Sequence, residues 1–257
     1  MFKYSQLTHA GAALPRWTWA LAKTLLPALL IALVVRTFII EPFDIPSGSM
    51  EPTLDVGDYI FVPKFAYGYS AASLPFDLHL FKGRAFFFHK PQRGDVVVFR
   101  LPADPSIDFV KRIVGLPGDR IQVKQGVLYI NGTAVERNRL GDYVVDDGAA
   151  AIPAVEYRET LPNGKSHLIF QFGNGNGPFD NTPVFVVPAR HYFMMGDNRD
   201  DSSDSRDPYS GVGFVPVGNL LGPASVIFFS IKPTAPAWEF WKWPSEIRFG
   251  RIPSFVD

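Results

Sequence analysis

The 257-residue sequence contains no cysteine, which excludes a disulfide framework, a thiol nucleophile and a zinc–thiolate site together. Redox compartment is therefore unmarked, and location has to be read from elsewhere in the chain. Net charge is also missing: 25 Lys+Arg balance 25 Asp+Glu, so the electrostatic footprint of a nucleic-acid binder is absent and no nucleic-acid partner is expected. Charged residues are only 19% against 47% hydrophobic, which excludes a disordered polyampholyte and leaves enough apolar mass for a packed core. No internal repeat or low-complexity tract is present. The usual serine-nucleophile signatures are lacking too, since neither a Gly-x-Ser-x-Gly elbow nor a Ser-x-x-Lys motif surrounds Ser49.

What the chain does have is one long apolar run. From Trp17 to Val35 it reads WTWALAKTLLPALLIALVV, with one charge, and at about 1.5 Å per residue it nearly crosses a hydrocarbon core of about 30 Å. Lys23 is close enough to the N-terminal end to snorkel, Trp17 and Trp19 suit the interface, and Arg36 closes the far end. The preceding tail carries Lys3 and Arg16 and no acid, so the positive-inside rule predicts a cytoplasmic N-terminus and an exported remainder. The alternatives are a cleaved secretory signal and a buried helix of a soluble protein. Bulky RTFIIEPF, rather than a small-x-small site, follows the run and favours a retained anchor.

Beyond Phe43 the helical period disappears, and short runs rich in Val, Ile, Phe and Tyr alternate with Gly, Pro, Asn and Asp clusters. Strands are predicted at 58–65, 95–100, 107–114, 120–124, 167–172, 185–187, 191–195 and 224–231, with a hairpin at 127–135 turning on Asn131-Gly132. The expected class is mainly β: an N-terminal transmembrane helix, an antiparallel β catalytic domain and an inserted β-rich subdomain. The expected boundaries are a cytoplasmic tail 1–16, an anchor 17–39, a catalytic domain 40–119 plus 191–257, and an insert 120–190. The insert is rich in Gly, Asn and Asp loops, and the residues capable of chemistry are expected in the two flanks.

IPSGSMEPTL (45–54) is the first candidate segment, because small residues around a serine let backbone N–H groups approach a reacting carbonyl. Taken alone, Ser-Gly-Ser is most often only a turn. A base must accompany it, and the five histidines give little help. His9 precedes the anchor, His79 and His89 sit in an irregular Phe-rich stretch, and His167 and His191 begin strands. The strand IDFVKRIV serves better: with a side-chain period of two, Ile107, Phe109, Lys111 and Ile113 share a face, so Lys111 is a lone charge in an apolar row. Burial there would lower its pKa towards that of a working base. Lys64, beside Ile60 and Val62, is the rival, and a lysine whose stem packs while its head snorkels out is the bland reading of either. MGDNRDDSSDSRDP (195–208) reads by itself as a solvated loop. It fails as a calcium loop, because from Asp200 the sixth position is Ser205 and the twelfth Gly211, so no metal is expected. Arg93-Gly94-Asp95 and Asn131-Gly132-Thr133 read as a turn and a hairpin.

IPSGSMEPTL, RGDVVVFRLPADPSIDFVKRIVGLPGD (93–119) and GDNRDDSSDSRD (196–207), in this order behind an anchor, together resemble the type I signal peptidases. The resemblance covers 36–119 and 191–230. It implies Ser49 as nucleophile and Lys111 as general base, with the Ser47 hydroxyl and the Ser49 N–H as oxyanion hole. It further implies that Ser202 orients the lysine and that Asp204 and Arg206 form a supporting ion pair. The implied activity is cleavage of exported preproteins after Ala-x-Ala-like sequences at the outer face of the bacterial inner membrane, without a cofactor. Partners would be preproteins and the lipid bilayer. Two departures stand out: the chain has one anchor where many members have two, and DPYSGV (207–212) intervenes before Gly213. AWEFWKWP (237–244), with Trp238, Trp241 and Trp243, suits a membrane interface or a core cap. A peptidase dedicated to one secretion or conjugation precursor and a silent anchored binding domain are the competing functions.

Overall fold

The structure is a computed structural model that describes residues 16–69, 89–146, 151–173, 175, 177–232 and 241–256. His9, His79, Trp238 and the side chain of Trp17 lie outside the described residues. The described chain opens with α1 (Arg16–Phe38), which contains Pro27 and ends with Arg36 in its last turn, where a cation complements the helix dipole. Among the described residues no helix is long and apolar enough to cross a membrane. In α1, Trp19, Leu21, Leu25, Leu26, Leu29, Leu30, Ile31, Leu33 and Val34 are 46% to 68% exposed, so this apolar surface is not used to build the core.

Sixteen strands follow among the described residues. They are β1 (Ile40–Asp44), β2 (Asp58–Pro63), β3 (Val96–Arg100), β4 (Asp108–Gly115), β5 (Arg120–Lys124), β6 (Val127–Ile130), β7 (Thr133–Ala134) and β8 (Glu136–Asp146). Then come β9 (Ala151–Thr160), β10 (Ser166–Phe172), β11 (Phe185–Val186), β12 (His191–Met195), β13 (Phe214–Pro216), β14 (Leu220–Pro223), β15 (Val226–Ser230) and β16 (Ser254–Phe255). They form sheets ordered β1-β2-β15-β16, β13-β12-β4-β3-β14, β11-β5-β6-β7 and β10-β9-β8, all with antiparallel pairings. The mainly β, antiparallel class read from the sequence is the one observed. At the β6–β7 hairpin Asn131 and Gly132 both take positive φ, as a two-residue turn requires.

Strands β1, β8, β9, β13, β14 and β16 were not expected from the sequence. ERNRLGDYVVD and AIPAVEYRET interrupt apolar alternation with charges, because β8 and β9 are held to each other by a long backbone ladder rather than by one buried face. Two apolar clusters flank β3. In one, Ile45, Met50 and Leu54 pack with Ile60, Val62, Val96, Val98 and Leu221. In the other, Val97, Phe99, Ile113, Met194 and Val215 pack with Phe109. The apolar residues of IPSGSMEPTL are therefore pegs, each worth about 1.5–3 kcal/mol of burial, and they fix the polar residues between them.

Candidate active site

Ser49 lies in a 3-10 turn, Gly48–Met50, immediately before the fully buried Met50. Strand β4 runs beside it. The alternation expected for β4 holds where it matters: Phe109 and Ile113 belong to one cluster, and Lys111 between them is buried opposite Val97 in the ladder. Lys111 Nζ is 2.6 Å from Ser49 Oγ, 3.0 Å from the Val110 carbonyl oxygen and 5.4 Å from the centre of the Phe109 ring. Burial pushes the lysine down to about 8, against the opposing pull of the Asp204, Asp197 and Asp201 carboxylates. An ordinary lysine is almost wholly charged at pH 7, whereas one near 8 is about 10% neutral. Ser47 Oγ is 3.5 Å from Ser49 Oγ. Lys64, the rival, is also buried, but its Nζ is 2.9 Å from the Glu41 carboxylate.

The segment after β12 lies beside this pair: Asn198 bonds the Ser49 carbonyl, and the charges of Asp197, Asp201, Asp204 and Arg206 act on Lys111. Arg206 donates from Nε and Nη2 to Asp204 at 2.9 and 2.8 Å, and Asp204 Oδ2 accepts from the Gly196 N–H at 3.0 Å, all buried. The DPYSGV insertion does not disturb them. It folds on itself: the Tyr209 and Ser210 N–H groups donate to Asp207, and Ser203 Oγ donates to the Ser210 carbonyl at 2.6 Å. Ser202 Oγ is buried without a hydrogen-bond partner, so the bond from Ser202 to Lys111 that the resemblance implies is not formed. Gly196 explains the tightness here. A Cβ on it would lie 2.3 Å from Ser202 Oγ and 2.5 Å from the Ser49 carbonyl oxygen, so only glycine fits.

Several residues that sequence reasoning missed hold the three segments together. Arg112, on the opposite face of β4 from Lys111, donates from Nε and Nη2 to Asp197 at 2.8 and 2.7 Å, and Thr53 Oγ1 donates to Asp197 at 2.5 Å. Asn198 donates from its backbone to the Ser49 carbonyl at 3.2 Å and from its side chain to the Gly48 carbonyl at 3.1 Å. Strands β9 and β10 contribute as well. Phe170 of β10 exchanges backbone bonds with Asp197 and Arg199, and the Arg199 guanidinium grips Glu159 of β9 with both terminal nitrogens. His167 sits 3.5 Å from Glu159 and 3.9 Å from Asp197, and burial pushes it down to about 4, so it is neutral. The available signal was Arg112 itself, since an arginine in a buried strand needs a carboxylate. Among the described residues no histidine hydrogen-bonds Ser49, and no group of three or more His or acidic residues could hold a metal ion.

A family model for the signal peptidases, peptidase S26, matches residues 18–229. The signal peptidase I of Rickettsia typhi is 48% identical over 211 residues, which cover 79% of this chain and 77% of that protein. That of Rickettsia prowazekii is 47% identical over the same share of both chains. The chain belongs to the S26 signal peptidase family. A crystal structure of a signal peptidase I from Enterococcus faecalis is 26% identical, covers 53% of this chain and 98% of that one, and gives a TM-score of 0.31. In this S26 chain the family match takes in the serine turn, β4 and the whole 196–207 segment. Trp241 and Trp243, respectively 62% and 40% exposed, lie beyond it.

Proposed function

We propose that this S26 peptidase removes signal peptides from exported preproteins, cutting after small residues in Ala-x-Ala-like sequences, through an acyl-enzyme on Ser49 with Lys111 as general base. The observation that carries the chemistry is the 2.6 Å approach of Lys111 Nζ to Ser49 Oγ in a site where burial pushes the amine to about 8. A neutral Lys111 takes the Ser49 proton as Oγ attacks the scissile carbonyl. The Ser47 hydroxyl and the Ser49 N–H receive the developing oxyanion. Lys111, now an ammonium, returns the proton to the leaving amine, and the mature chain departs. A water then attacks the Ser49 ester with Lys111 again as base. Asp204 and Arg206 hold Gly196, and with it the serine turn, in place, while Ser202 packs beside Gly196 without a bond to Lys111. These steps need no metal or organic cofactor.

In the same reading, residues 17–39, which take in all of α1 but Arg16 together with Ile39, are a single-pass anchor in the bacterial inner membrane, with residues 1–16 cytoplasmic and the β-structure periplasmic. The exposed apolar belt of α1 supports this, as do exposed Trp241 and Trp243 for contact with the bilayer. The catalytic domain is 40–119 with 191–257, and 120–190 is an insert that builds its own sheets from β5 to β11. The test is incubation of a purified preprotein with the detergent-solubilised chain and sequencing of the product N-terminus. Wild type should cut after an Ala-x-Ala-like site and Ser49→Ala should not cut at all; cleavage by Ser49→Ala, or none by wild type on several preproteins, overturns the reading.

A further inference from the structure

Glu159 has no place in the chemistry above, lies in the insert, and is buried to 1% exposure on a strand whose next residue towards the chain start, Arg158, is exposed. A carboxylate is taken out of water only where a cation holds it, and here the cation is the equally buried Arg199. Arg199 stands inside the segment whose charges act on Lys111. Its backbone carbonyl accepts from Arg206 Nη2, the same nitrogen that grips Asp204, and Asp204 in turn accepts from the N–H of Gly196, which touches both Ser49 and Ser202. A continuous line of charge-assisted bonds therefore runs from the insert to the backbone beside the serine.

We infer that Glu159 is a positioning residue for the proteolytic reaction, acting through Arg199 to press residues 196–206 onto Lys111 and keep water from its amine. This rests on the reading of Lys111 as base. The groups around Glu159 fit the role. Arg199 and neutral His167 face it, and the same His167 Nε2 is 3.9 Å from Asp197, which Arg112 binds and whose charge also acts on Glu159. If Glu159 loses its charge, the Arg199 guanidinium is left buried without its carboxylate and the nearest alternatives are Asp197 and Asp204, whose fields it already feels. Either move pulls on the segment beside Lys111. Because burial is the main cause that lowers this lysine, loosening that segment moves the amine back towards ordinary lysine.

The experiment measures kcat and KM for a short peptide substrate across pH 6 to 10 with the full, detergent-solubilised chain. In Glu159→Gln, kcat at neutral pH should fall about 10- to 100-fold with KM within about twofold, as expected for a misplaced catalytic group. The pH at half-maximal rate should move to the alkaline side by about half a unit or more, because the exposed amine regains its proton more readily. Arg158→Gln on the same strand should leave both unchanged. A merely structural loss would lower the amplitude in step with the folded fraction seen by circular dichroism and leave the pH midpoint in place, and that result overturns the inference, as does a wild-type profile. If Glu159→Gln does not fold, Arg199→Lys, which keeps the charge and loses the paired grip, decides on the same two readouts. The two readings fail separately: activity retained by Lys111→Arg sinks the lysine base, whereas an inactive Lys111→Arg beside an unshifted Glu159→Gln sinks only the role of Glu159.

Discussion

Lys111 can accept a proton only in the fraction that has already lost its own, and that fraction is set by burial. With the group at about 8 in the fold, the rate should rise with pH, pass half its maximum near that value and then level off. Arg cannot deprotonate usefully, so Lys111→Arg should abolish turnover while circular dichroism stays native; a flat pH profile in the wild type would remove the lysine from the chemistry. The same burial costs stability. The folded value lies below the unfolded 10.5, so the unfolded chain binds the extra proton between about pH 8 and 10.5. The penalty is complete below pH 8 and is relieved as pH rises through that window. Ser47 poses a separate question, since its hydroxyl lies 3.5 Å from Ser49 Oγ. Acting as an oxyanion donor, its loss in Ser47→Ala should lower kcat by about 10²–10³ with KM little changed, and steady-state kinetics on a peptide substrate checks the split.

At the scale of elements, the serine turn is placed by neighbours that contain no serine chemistry. Met50 and Leu54 sink into the cluster beside β2 and β3, and Asn198 ties down the Gly48 and Ser49 carbonyls from the opposite side. At Gly196 the segment after β12 and the turn lie so close that a methyl would meet a backbone oxygen as well as a side chain. Only the side chain could rotate away. Gly196→Ala should therefore separate the two elements and cost about 100-fold in kcat on a short peptide, with the far-ultraviolet spectrum unchanged; near-normal turnover would show that the segment yields freely. Strand β4 explains why both of its faces are charged and buried. Lys111 serves the reacting side, and Arg112 on the other side holds Asp197 and, through it, Thr53 of the serine loop.

For the whole molecule, α1 ends at Phe38 and β1 begins at Ile40, so the catalytic sheets are attached to the proposed anchor with almost no slack. A nucleophile held this close to a bilayer reaches cleavage sites that emerge at the surface. Deleting residues 1–38 should leave cleavage of short soluble peptides near its full rate and lower processing of membrane-held preproteins by about tenfold or more, as loss of a shared surface lowers effective concentration. Equal efficiency of the shortened and full chains on preproteins in vesicles would remove the helix from the mechanism.

The sequence by itself carried whatever depends on local pattern. Period two in IDFVKRIV put Lys111 in an apolar row, Asn131-Gly132 marked the hairpin, and the order of the three motifs pointed to the type I signal peptidases. The strands β8 and β9 were illegible because a backbone ladder between partly charged segments leaves no apolar period. Only the tertiary structure could bring Ser49 and Lys111 to 2.6 Å across 62 positions of sequence, or show that Lys64 faces Glu41 instead. Nor could sequence reveal that Glu159 of β9 and His167 of β10 reach the segment beside the serine. Contacts between distant segments leave no periodic trace in either partner, and what a buried charge pairs with is settled by which elements the fold stacks against it.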